Sequence, residues 1–132
     1  MLAHSWALAT ATRLTIVTTG TPAESATAPF ATLVTMKLHA IQDRAGEGQA
    51  KRAGDAWDIH RLLAHHNRTG EITRSIQQAP EALRDAVQAA ARGVLVDGST
   101  RARAWVHGAG GTAGHRHSRR DQLLGEQLLG LV

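Results

Sequence analysis

Hydrophobic and polar positions alternate with different periods along this chain. Between Trp6 and Thr18, Leu14, Ile16 and Thr18 alternate with Arg13, Thr15 and Val17, the period-two pattern of a strand with two faces. One strand or a short hairpin is expected there. Gly20, Pro22 and Ser25 interrupt the pattern, and Pro29 stands where a first helical turn tolerates a missing backbone donor. A helix is expected to begin near Ala28. Within it Phe30, Leu33, Val34, Leu38 and Ile41 recur at spacings of three and four and form one stripe, until Gly46 and Gly48 stop it.

A second helix is expected from about Ala50 to His66, with Ala56, Ile59, Leu62 and Leu63 inward and a break at Asn67 to Gly70. The short connection makes these two a helical hairpin. After Pro80, the residues Leu83, Val87, Ala90 and Ala91 mark a third helix that ends before Gly93. A fourth, short amphipathic helix is expected after Ser99, carrying Ala102, Trp105 and Val106. From Gly108 to Arg120 the chain is Gly-rich and then His/Arg-rich, too poor in apolar surface to order itself. Leu123, Leu124, Leu128, Leu129 and Leu131 are spaced for a final helix, which Gly125 and Gly130 each weaken by about 1 kcal/mol. The expected fold class is α+β, mostly α-helical with one or two short N-terminal strands. Residues 1–107 are expected to form the domain, 108–120 a linker and 121–132 a C-terminal helix.

Composition narrows the chemistry. A length of 132 residues suits one small domain or a piece of a larger protein. Three Trp and one Phe supply little large aromatic surface, so the core is expected to be modest. Lys and Arg number 15 against 11 acids, a net charge of +4 carried mostly by Arg, which suits phosphate, carboxylate or nucleic-acid partners. The absence of cysteine excludes disulfides, thiolate zinc sites and cysteine nucleophiles. Met1 to Val17 lacks a basic start and is interrupted by Arg13, unlike a signal peptide. Nowhere do about 18 uncharged apolar residues follow one another, so no membrane partner is expected and a cytoplasmic location is.

The informative stretch runs from Met36 to Arg44 and resumes from Lys51 to Leu63. Lys37 and Arg44 are seven positions apart, two turns on one helical face, and Asp55 and Asp58, three apart, are neighbours on theirs. A folded hairpin brings both pairs together. Cations fixed by carboxylates make a positioned positive site able to neutralise charge on a transferring phosphoryl group. The same four residues also suit interhelical salt bridges, which exposed pairs form routinely for roughly 0.2 to 1 kcal/mol. The residues alone leave both readings open.

In order and spacing this stretch resembles the third and fourth motifs of the AbiEii/AbiGii-type nucleotidyltransferase toxins. Those motifs are a Lys-Leu-x-Ala-(x)3-Arg helix and then a basic residue ahead of Asp-x-x-Asp-aliphatic. Here they read Lys37, Leu38, Ala40 and Arg44, then Lys51, Arg52, Asp55, Asp58 and Ile59. The close match covers about 35 of the 132 residues. The resemblance implies that residues 1–107 are a partial nucleotidyltransferase-like domain, with Lys37 contacting nucleotide phosphates and Asp58 shaping the pocket as the catalytic-site residues. Arg44, Asp55, Lys51 and Arg52 are implied as nucleotide-binding or supporting residues. It further implies, for a complete family member, transfer of a nucleotide from an NTP to RNA or protein with Mg²⁺, under control of a cognate antitoxin.

The departure from the family lies upstream. Its Gly-Ser motif and paired metal-binding acids have no equivalent, and before Glu24 the chain contains no Asp or Glu. Two-metal phosphoryl transfer needs such carboxylates. A truncated toxin, inactive alone and with no metal site of its own, is therefore the expectation; the alternative is a non-enzymatic helical module that binds nucleic acid or a partner protein.

Other motifs point to blander roles. His65 and His66 are adjacent, so on a helix they point apart, and no helical His pair is spaced by three or four. The run from Gly108 to Ala113 fits a dinucleotide fingerprint formally but lacks a βαβ setting. Arg116, Arg119 and Arg120 beside His115 and His117 suit a solvated basic loop or phosphate contacts. Trp57 and Trp105 are expected as core anchors.

Overall fold

A computed structural model of the chain describes residues 2–17, 19–44 and 49–97, together with Arg101, Ala104 and Glu126. The expected helix after Ser99, the 108–120 linker and the 121–132 helix otherwise lie outside the described residues.

The order of elements is α1 (Leu2–Ala9), β1 (Thr12–Ile16), β2 (Ala23–Thr27), α2 (Phe30–Asp43), α3 (Gln49–His66), α4 (Glu71–Gln77) and α5 (Glu81–Ala91), followed by a π-helical turn over Arg92–Val96. The α+β, mostly helical class expected from the pattern is the class observed.

The chain opens with a helix where the pattern of residues predicts only a strand. Leu2, Ala3, Ala7, Leu8 and Ala9 are strong helix formers. Ala3 and Trp6, three apart, share the face that packs against α2. Thr10 ends α1 by donating both its backbone N–H, at 3.0 Å, and its hydroxyl, at 2.7 Å, to the Trp6 carbonyl.

The alternating residues then form the expected strand, which pairs antiparallel with β2 in a register that sets Leu14 opposite Ser25 and Ile16 opposite Ala23. Every residue of both strands is exposed.

Helix α2 is the hub, packing against α1, α3, α4 and α5. It starts after Pro29, whose carbonyl accepts from the backbone N–H of Thr32 and Leu33. The fully buried Thr32 and Thr35 hydroxyls turn back onto the carbonyls of Pro29 and Ala31, at 2.7 and 2.8 Å, so neither is left unsatisfied in the core. Val34, Leu38 and Ile41 are buried as the stripe predicts, but Phe30 is 45% exposed. It lies at the start of α2, beside the end of α3, where its ring stacks on His66 at 3.8 Å between centroids.

Against α2, helix α3 sets Ala53, Ala56, Ile59 and Leu63, and Leu62 packs on the rim of the core. The break expected at Asn67 to Gly70 is a tight turn in which Gly70 takes φ 73°, a left-handed conformation that side chains with a Cβ disfavour. The turn leads into α4, a helix that the pattern of residues does not predict. Its start is satisfied from a distance: the fully buried Asn67 accepts the Thr73 backbone N–H at 3.1 Å and donates to the Thr73 hydroxyl at 3.0 Å. Ile72 and Ile76 then face the core.

Leu83, Val87, Ala90 and Ala91 of α5 are buried as expected. The helical path does not stop before Gly93. It widens by one residue into the π-helical turn, with Asp97 N–H bonded to the Arg92 carbonyl at 2.9 Å, and this buries Val94 and Leu95. Burial of those two apolar side chains favours continuing through the glycine. Among the described residues no helix is long and apolar enough to cross a membrane.

Candidate functional site

Lys37 and Arg44 project from α2 toward α3, and Asp55 and Asp58 meet them from the facing helix. The Lys37 ammonium donates to Asp55 Oδ1 at 2.9 Å and lies 2.6 Å from Asp58 Oδ2. Arg44 Nη1 donates to Asp55 Oδ2 at 2.6 Å. Asp55 thus engages one cation with each oxygen, while Lys37 is shared between two carboxylates.

Burial grades across this cluster. The Asp55 side chain is 13% exposed and Asp58 46%, so the Asp55 end is the more shielded and the Asp58 end faces solvent. Burial acts to lower the Lys37 pKa, but its hydrogen bonds to Asp58 and Asp55, with the charges of those carboxylates, outweigh it and hold the ammonium above its ordinary 10.5. Lys37 is therefore a firmly charged cation and not a proton donor at neutral pH.

The four residues brought together are Lys37, Arg44, Asp55 and Asp58. Lys51 is exposed one turn before Asp55 and, among the described residues, makes no ion pair with either aspartate; Arg52 is half-buried on the same helix. Asp43 is exposed. Trp57 is partly buried against the core, as an anchor should be, and stacks on His60 with centroids 5.7 Å apart. Trp105 and the His/Arg stretch lie outside the described residues.

Lys37 and Leu33 border two open clefts. One, of about 510 Å³, carries Lys37, Asp58, Arg61, His65 and His66 with Leu33 and Leu62. The other, of about 500 Å³, lies between α1 and the helical hairpin, with His4, Met36, His39, Arg44 and Asp55 on its walls. In the second, the His39 Nδ1 bonds back to the Thr35 carbonyl at 2.9 Å, which fixes the ring against its own helix.

Arg61, His65 and His66 are not among the residues that the motifs pick out. For Arg61 and His65 a signal is present in the spacing: Asp58, Arg61 and His65 continue the Asp55 face of α3 at intervals of three and four. The first cleft thus carries two cations, Lys37 and Arg61, against one carboxylate, Asp58, which is itself paired with Lys37. Such a surface attracts anions.

A divalent metal does not fit this donor set. Both aspartates are engaged by Lys37 and Arg44, and among the described residues no three His, Asp or Glu side chains group as metal ligands. Compared with family models, curated proteins and solved structures, the chain matches none.

Proposed function

We propose that this chain is the nucleotide-phosphate-binding helical part of a nucleotidyltransferase-like toxin, unable to transfer a nucleotide by itself. The observation that carries this reading is the fixed Lys37 ammonium, 2.9 Å from Asp55 and 2.6 Å from Asp58, on the wall of a cleft that also carries Arg61. In the AbiEii/AbiGii-type motifs that the sequence resembles, the corresponding lysine contacts phosphate. An ammonium held in place by neighbouring carboxylates presents its charge to an incoming phosphate without first losing side-chain freedom.

On this reading the chain binds an NTP and leaves catalysis to carboxylates it does not contain. Mg²⁺, an RNA or protein acceptor and a cognate antitoxin belong to the complete system. Asp55 and Asp58 act as partners of cations, so no step runs through a metal held by them.

A second reading is favoured by charge balance at the cluster: two cations face two carboxylates. In that case the network is a clasp that fixes α2 against α3 in a non-enzymatic helical binding module for nucleic acid or a partner protein.

Calorimetric titration of ATP with Mg²⁺ into the chain separates the two. The nucleotide reading expects binding that is abolished in Lys37→Ala and weakened in Asp58→Ala. No heat of binding at millimolar ATP, with both variants merely less stable, would leave the clasp.

A further inference from the structure

The cleft beside Lys37 holds a feature that phosphate binding does not require. At its α3 end stands His66, and the ring of His66 is stacked on Phe30, with centroids 3.8 Å apart and planes 16° from parallel. Phe30 is 45% exposed although it is the chain's one phenylalanine. A large apolar ring at a helix start is ordinarily drawn into a core; here it supports an imidazole. The stack covers one face of the His66 ring, and the residue remains exposed on the cleft wall.

Between this platform and Lys37 the cleft also carries Arg61 and Leu62. Arg61 is four positions before His65 and three after Asp58, on the face of α3 that meets Lys37. The cleft therefore has Lys37 and Arg61, with the Asp58 carboxylate that holds Lys37, toward one end, an aliphatic wall and a flat ring at the other, within a volume of about 510 Å³. That order of chemistries matches a ligand with phosphates at one end and an aromatic ring at the other.

We infer that the cleft seats an entire nucleoside triphosphate, with its phosphates on Lys37 and Arg61 and its base stacked on the face of His66 turned away from Phe30, which braces the ring from behind. This inference rests on the nucleotide reading above and adds where the base lies. Stacking on a flat ring discriminates little between bases, because every base has a π-face. The seat is accordingly one for nucleotides as a class.

The test compares ATP with inorganic tripolyphosphate, by calorimetry on the purified chain. Tripolyphosphate carries the phosphates and at least as much negative charge but no base, so electrostatics alone favours it. A stacked base makes ATP bind about fivefold or more tightly than tripolyphosphate. His66→Ala and Phe30→Leu then bring ATP down toward the tripolyphosphate affinity and leave tripolyphosphate unchanged. Both substitutions are at exposed positions, and an unaltered melting curve verifies the fold. Equal affinity of the two ligands for the unsubstituted chain overturns the base seat while the phosphate site stands. If neither ligand binds, both readings fall.

Discussion

Lys37 of α2 and Asp55 of α3 are 18 positions apart in the chain and 2.9 Å apart in the fold. Between them lie the end of one helix, a polar connection and the start of the next, so the contact closes the helical hairpin at its most charged point. Asp55 also takes Arg44 at 2.6 Å, and one carboxylate therefore ties two turns of α2 to α3.

Removing that carboxylate is expected to cost more stability than removing its neighbour. Asp55→Ala breaks two ion pairs at a mostly buried position, whereas Asp58→Ala breaks one at an open position. Exposed pairs are each worth roughly 0.2 to 1 kcal/mol, so Asp55→Ala should lose about 1 kcal/mol and Asp58→Ala about half of that or less. Urea unfolding of the two variants checks the order; equal losses would contradict the graded burial.

The raised Lys37 pKa gives the clasp a pH dependence. The folded chain holds the proton more tightly than the unfolded chain, whose lysine titrates near 10.5. The resulting stability is fully present below that pH and is lost as pH rises through the higher folded value. Between the native chain and Lys37→Met, the difference in urea midpoint should accordingly be constant from neutral pH to about 9 and shrink above 10.5. A difference that widens with alkalinity would mean that the shift has the opposite sign.

Asn67 joins α3 to α4 through two hydrogen bonds with Thr73, and its side chain is fully buried. Asn67→Ala leaves the Thr73 N–H without its acceptor and should cost about 1 to 3 kcal/mol. Asn67→Asp keeps an acceptor for that N–H and should cost less. The ranking is read from thermal melts near neutral pH; an alanine variant as stable as the native chain would show that α4 does not depend on this cap.

Gly70 sits at φ 73°, and a Cβ added there meets no atom within 4 Å. The cost of Gly70→Ala is therefore conformational and not steric, about 1 kcal/mol for a left-handed residue. Gly70→Asn should cost less, since asparagine tolerates that region better. Chemical denaturation of the pair measures the difference.

The periodic stripes of α2, α3 and α5 make those helices legible, because each buries a row such as Val34, Leu38 and Ile41 or Leu83, Val87 and Ala90 against the others. Two helices escape that reading. In α1 the threonines just beyond it extend the strand signal backward over Trp6, and only packing of Ala3 and Trp6 on α2 reveals the helix. In α4 the cap reaches back from Asn67 across the left-handed Gly70, so no capping residue stands next to the helix start. Phe30 obeys the stripe's spacing but lies beyond the faces that cover it. Spacing places Lys37 with Arg44 and Asp55 with Asp58, whereas the facing of the two helices, and hence the ion pairs, is a property of tertiary packing. Arg61 continues the face of Asp55 and Asp58 by spacing but carries no motif signal, and His66 joins them only as a wall of the same cleft.

Backbone amide shifts recorded as ATP is added to the uniformly ¹⁵N-labelled chain test the central claim most directly. The nucleotide reading predicts saturable shifts along the facing sides of α2 and α3, at Lys37, Asp58, Arg61 and His66, with Glu81–Ala91 unmoved. Shifts absent at millimolar ATP, or centred on α5, would contradict a phosphate site at Lys37 and leave the ion-pair cluster as a clasp between two helices.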